Sequence, residues 1–126
     1  MELTESEIAV AEILIDCIKE YNDKEVIKLS YEEFCNKLWT KQHLRIEPFR
    51  VGKYLGRVSM YFHAHGLPFI SAIIVNAKTQ IPGTGFYELL HGYGITDITD
   101  QYKEIEKAQT FKDYQKLYDC LYLYVK

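Results

Sequence analysis

Arg50, Lys53 and Arg57 fall at positions i, i+3 and i+7, so a helix through them carries all three on one face. Arginine grips phosphate through two parallel N–H bonds and can read the edge of guanine, while lysine pairs phosphate as a point charge. Lys41 and Arg45 stand just before this segment and Lys78 beyond it. On a winged helix-turn-helix these six cations would converge on one surface suited to a polyanion. A solvated basic face is the ordinary alternative. Gly52 and Gly56, with Ser59 next along, run down the same segment. Two glycines inside a helix cost about 1 kcal/mol each relative to alanine. Their spacing predicts close packing against another backbone, with close approach of a nucleic-acid backbone as the second reading.

The other residues able to do chemistry are not arranged for it. Cys17, Cys35 and Cys120 are an odd set without a CxxC pair, and free thiols in apolar helical patterns are ordinarily small packing residues. His63 and His65 are separated by one residue, a spacing that points the rings apart on a helix. No metal site and no cofactor are expected. The chain contains no GxxxxGK[ST] loop, no HExxH and no GxSxG, and Gly83-Thr84-Gly85 is too short for a phosphate loop. The reading is therefore non-enzymatic.

The chain has 126 residues, 48% of them apolar and 26% charged, which is the composition of one globular domain. No apolar run approaches the ~18 residues of a membrane span. The first residues, Met1-Glu2-Leu3-Thr4-Glu5, do not resemble a signal peptide, so a cytoplasmic, reducing location is expected. The net charge is −3, but it is unevenly distributed. Residues 1–29 carry three basic and eight acidic groups, residues 30–80 seven basic and three acidic, and residues 81–126 five basic and seven acidic. A basic island, net +4, lies between acidic ends.

The elements that must position this island follow from pattern and caps. Thr4 with Glu7 forms a capping box, and Ile8, Ala11, Ile15 and Ile18 stripe a first helix. Glu25 to Leu29 reads as a short strand. Ser30 with Glu33 caps a second helix over Tyr31 to Trp39. Pro48 suits the first turn of a third helix, which runs to His65 and stops at Gly66-Leu67-Pro68, with Val51, Leu55, Val58 and Phe62 inward. Phe69 to Asn76 is the strongest strand pattern in the chain. After the Pro82-Gly83-Thr84-Gly85 turn, Phe86 to Leu89 either pairs back as a hairpin or begins a helix. Thr96 or Asp97 starts a polar helix to Ala108. Phe111, Tyr114, Leu117, Tyr118, Leu121, Tyr122 and Val125 stripe the last one.

This order is that of a winged helix-turn-helix with added C-terminal helices. Leu29-Ser30-Tyr31-Glu32-Glu33-Phe34, Arg50-Val51-Gly52-Lys53-Tyr54-Leu55, and Leu67-Pro68 before an apolar segment and a glycine turn resemble the DNA-binding domain of O6-alkylguanine-DNA alkyltransferases and alkyltransferase-like proteins, over roughly residues 26–95. The segment from Leu67 to Phe86 also resembles small uncharacterised bacterial and phage proteins. The alkyltransferase resemblance implies that Tyr31 takes the place of a tyrosine that helps turn a nucleotide out of the duplex. It places Phe49 where the family has an intercalating arginine, a position for an apolar wedge. Phe69 falls where the nucleophilic cysteine would be, and Ile70 and Ser71 where a histidine and an arginine would follow. Alkyl transfer is therefore excluded, and lesion binding without chemistry is what the resemblance leaves.

The combined expectation is an α+β, mostly helical single domain of residues 1–126. Its winged helix-turn-helix core spans about residues 26–95, with C-terminal helices over about 96–126. It is read as a non-enzymatic nucleic-acid-binding protein of a bacterium or mobile element. Double-stranded DNA is the expected ligand and RNA the second. Binding falls to Arg50, Lys53 and Arg57, with Tyr31, Lys41, Arg45 and Lys78 at the edges and Phe49 as a wedge. The alternative is a phage or mobile-element protein-interaction module, an inhibitor or accessory factor on a degenerate winged fold. In that reading the tyrosine-rich last helix serves as a homodimer or partner face.

Overall fold

The computed structural model describes residues 1–125, with side chains as far as Tyr122. Helix α1, Glu5–Glu20, begins at the predicted capping box, where Thr4 accepts from the Glu7 amide and Glu7 accepts from the Thr4 amide. Its inner face, with Val10, Ile13, Leu14, Ile15 and Ile18, is excluded from solvent. Strand β1, Leu29–Ser30, leads into α2, Tyr31–Gln42, again through the predicted box between Ser30 and Glu33. Helix α2 outruns the expected Trp39 end because no breaker follows it. It stops where His43 takes a left-handed conformation, φ 53°. Pro48 opens α3, Pro48–Ala64, which stops at Gly66, φ +78°, as its pattern predicts.

The segment after α3 departs from the sequence reading. Only Ile74–Val75 is strand, β2, and it pairs in parallel with β1, Leu29 opposite Ile74 and Ser30 opposite Val75. Ile70–Ile73 is a turn of 3-10 helix. Phe86 to Leu89 lies inside helix α4, Thr84–Gly92. The expected β-hairpin wing therefore does not form among the described residues. The physical reason lies in burial. Every residue from Phe69 to Val75 is buried, and a short apolar run buried on all sides has no period to separate strand from helical turn. Side chains take over the bonding that a strand partner would supply. Ser59 Oγ accepts from the Ser71 amide at 2.9 Å, and Gln109 Nε2 donates to the Ala72 carbonyl at 2.9 Å. Both pairs are buried, where an unmatched amide is costly.

Asn76 Oδ1 then accepts from the amides of Lys78 and Thr79, closing a side-chain turn. Helix α5, Ile98–Gln109, is capped by Asp97, and α6, Tyr114–Val125, follows. The main apolar core gathers α1, α2, α3, both strands and the inner face of α6. A smaller core of Phe69, Phe86, Leu90 and Ile105 joins α4 and α5 to the 3-10 turn. The result is a mostly helical α+β body. No described helix is long and apolar enough to cross a membrane.

Candidate nucleic-acid interface

Helices α2 and α3 are consecutive and in contact. The buried stripe of α3 is the predicted Val51, Leu55, Val58 and Phe62, joined by Ser59 and Tyr61. The opposite side carries Arg50 and Lys53, both exposed and without an ion pair among the described residues. Arg57, on the same face, is engaged elsewhere. Its Nε donates to Glu7 Oε2 at 3.0 Å and its Nη2 to the Glu2 carbonyl at 2.9 Å, so it clasps α3 to the start of α1. Glu7 is itself buried. Burial acts to raise its pKa, but the Thr4 amide and the Arg57 guanidinium outweigh that and hold the carboxyl below its ordinary value.

The remaining predicted residues separate. Lys41 lies 3.9 Å from Glu20 at the end of α1, beside the closer Lys37–Glu20 pair at 3.1 Å. Arg45 stands over the indole of Trp39, 4.7 Å from the ring centre. Lys78 is exposed in the turn after β2, where the expected wing would have been. Tyr31 is half-buried, and its hydroxyl accepts from the Gly83 amide at 2.9 Å. It therefore anchors the loop before α4. Phe49, in the first turn of α3, is 85% exposed and is the most exposed large apolar side chain of the chain's described residues.

Between α3 and α4 lies an open groove of about 630 Å³. Phe49 and Lys53 stand on its α3 side, Gly83 to Gly85 on its α4 side, and Gly52 and Gly56 along its floor. A methyl group built on either floor glycine meets nothing within 4 Å. The expected packing of these glycines against another backbone is therefore corrected, because they leave space instead of filling it. Gly83 is different, since a Cβ there would come 3.0 Å from the Tyr31 hydroxyl. Gly83 caps α4 without a side-chain hydrogen bond. Glu88 of α4 and Arg57 also line the groove. Pro48 also borders a second cleft of about 260 Å³, lined by Cys35, Trp39, Arg45, Glu47 and others.

Sequence reasoning missed the groove because its α4 wall comes from a segment read as a turn followed by either a hairpin strand or the beginning of a helix. Trp39 was also passed over. The available signal was its place at the exposed end of α2 beside Arg45.

The thiols are unsuited to nucleophilic work. Burial pushes Cys17 up to about 12 and Cys35 up to about 11, and raises Cys120. No group of three or more potential metal ligands occurs among the described residues. Of the α6 tyrosines, Tyr114 and Tyr118 are half-buried and Tyr122 is exposed. Tyr118 donates to Asp16 of α1, Tyr114 packs under Lys19, and Tyr122 stacks on Tyr118. Tyr124 and Val125 lie outside the residues whose side chains are described. Comparison with protein-family models, with curated proteins and with solved structures finds no match to this chain.

Proposed function

We propose that this protein binds nucleic acid, without catalysing a reaction, through the outer face of α3 and the groove between α3 and α4. The observation that carries the reading is the juxtaposition at the start of α3. An almost fully exposed phenylalanine is flanked by two cations, Arg50 and Lys53, that form no ion pair among the described residues. The floor beside them is kept open by Gly52 and Gly56. An aromatic ring offers a π-face to a base and cations offer charge to phosphates, the pairing on which nucleic-acid surfaces are built. The helix-turn-helix order of α2 and α3 supports the same reading. The wing's part falls to α4 and to Lys78 in the turn after β2.

Arg57, Lys41 and Tyr31 act in this reading as positioning residues. Arg57 and Lys41 hold α3 and α2 against α1, and Tyr31 sets the α4 wall. A labelled-oligonucleotide polarisation titration at low salt tests the proposal. Binding weakened by Arg50→Ala with Lys53→Ala supports it. No measurable affinity for any duplex or single strand refutes it.

A further inference from the structure

We infer that the preferred ligand is a single-stranded nucleic acid, its bases stacking on Phe49 and at the Trp39–Arg45 pair and its phosphates running past Arg50 and Lys53. This rests on the nucleic-acid reading above and narrows it. A recognition helix reads duplex DNA by entering the major groove along its length, with both flanks free to meet phosphate. Helix α3 is not free in that way. Midway along it Arg57 is tied to the start of α1, donating to the Glu7 carboxylate and the Glu2 carbonyl. The Glu7 carboxylate already holds the guanidinium that a duplex phosphate at this point would need. Helix α4 rises along the Gly52–Gly56 side, with Glu88 facing the same groove.

A single strand has no such requirement, because it can bend along a shallow track and present each base to a separate site. The track is present. Trp39, 46% exposed, and Phe49, 85% exposed, line two depressions that have Pro48 as a common lining residue. Arg45 sits at the first, Lys53 lines the second, and Arg50 follows Phe49 in the chain, exposed. Exposed aromatics alternating with cations are the recurring design of single-strand surfaces, because every base has a π-face and every nucleotide a phosphate. The carboxylates of the first cleft, Glu32 and Glu47, repel phosphate but accept from exocyclic amines. That assigns the cleft to a base and the backbone to the Arg50–Lys53 side.

Trp39 is the chain's single tryptophan, so its fluorescence reports occupancy of the first cleft directly. The experiment titrates the full chain with a short single strand of DNA, the same sequence in RNA, and the DNA duplex. It follows labelled-ligand polarisation and Trp39 emission in the wild type and in Phe49→Ala. Single strands of either sugar are expected to bind at least tenfold tighter than duplex and to change Trp39 emission. Phe49→Ala should weaken single-strand binding roughly tenfold, the loss of one stacking contact, and so reduce the preference for single strand over duplex. An exposed side chain is changed, and an unaltered circular dichroism spectrum checks the fold. Equal or tighter binding of duplex overturns the inference, as does single-strand binding indifferent to Phe49→Ala or silent at Trp39. No binding of any of the three ligands overturns the nucleic-acid reading itself.

Discussion

Glu7 and Arg57 show how one residue's role changes once its neighbour is known. On the helical face predicted for it, Arg57 is the third member of a cationic triad. In the fold it donates to Glu7 of the α1 capping box. Arg57→Ala should cost about 1 kcal/mol, as suits an ion pair whose arginine is 42% exposed and whose carboxylate is nearly covered. The sign of its pH dependence follows from the lowered pKa of Glu7. A carboxyl held below its unfolded value stabilises the fold above that value and loses the contribution as pH falls. The deficit of Arg57→Ala should therefore be full near pH 7 and shrink toward about pH 3 in urea unfolding, where the unfolded carboxyl is already protonated. A deficit that holds constant across that range contradicts the assignment.

Glu12 presents the opposite sign on the same helix. Burial, and then the charge of Asp16, raise its pKa. Its ionised form is disfavoured in the fold, so the stability it contributes is present below the unfolded carboxyl value and is lost as pH rises through the folded one. Glu12→Gln should raise Tm at pH 7 and make no difference below about pH 4. A variant less stable at pH 7 would show that the Glu12 charge is needed, contrary to this account.

Elements whose cause is local were legible in the sequence. The capping boxes at Thr4 and Ser30, Pro48 at the start of α3, and the stop at Gly66 all lie where a few adjacent residues decide the matter. The wing was not legible. Whether Phe69 to Val75 becomes strand depends on the Ser59 hydroxyl and the Gln109 amide, 12 and 37 residues from their partners, and no local pattern records them. The candidate site divides in the same way. Arg50, Lys53 and Phe49 were readable from spacing and resemblance. The α4 wall and the emptiness over Gly52 and Gly56 depend on tertiary placement.

That emptiness supports a prediction about α3. With nothing within 4 Å of either Cβ position, Gly52→Ala and Gly56→Ala should each stabilise the protein by about 0.5–1 kcal/mol in chemical unfolding. Both should weaken oligonucleotide binding by narrowing the groove floor. Loss of stability would show that a neighbour closes on these glycines after all. Gained stability with unchanged affinity would show that the groove floor is not part of the interface.

At the scale of the molecule, the sequence's charge island is partly dismantled by folding. Acidic α1 runs through the centre and draws off part of the island, Glu7 taking Arg57 and Glu20 taking Lys37 and Lys41. The formal +4 of residues 30–80 thus survives as a smaller surface, Arg50 and Lys53 beside Phe49, with Arg45 over Trp39 and Lys78 beyond. Few phosphate contacts imply modest affinity and a shallow salt response, since each neutralised phosphate contributes a slope of about 0.7 to 0.9 in log affinity against log salt. The salt dependence of oligonucleotide affinity is therefore the most direct measurement. The wild type should lose affinity as salt rises, and Arg50→Ala with Lys53→Ala should flatten that slope by about 1.4 to 1.8, two contacts' worth. Salt-independent binding, or a slope that the double substitution leaves unchanged, would contradict a nucleic-acid surface on this face of α3.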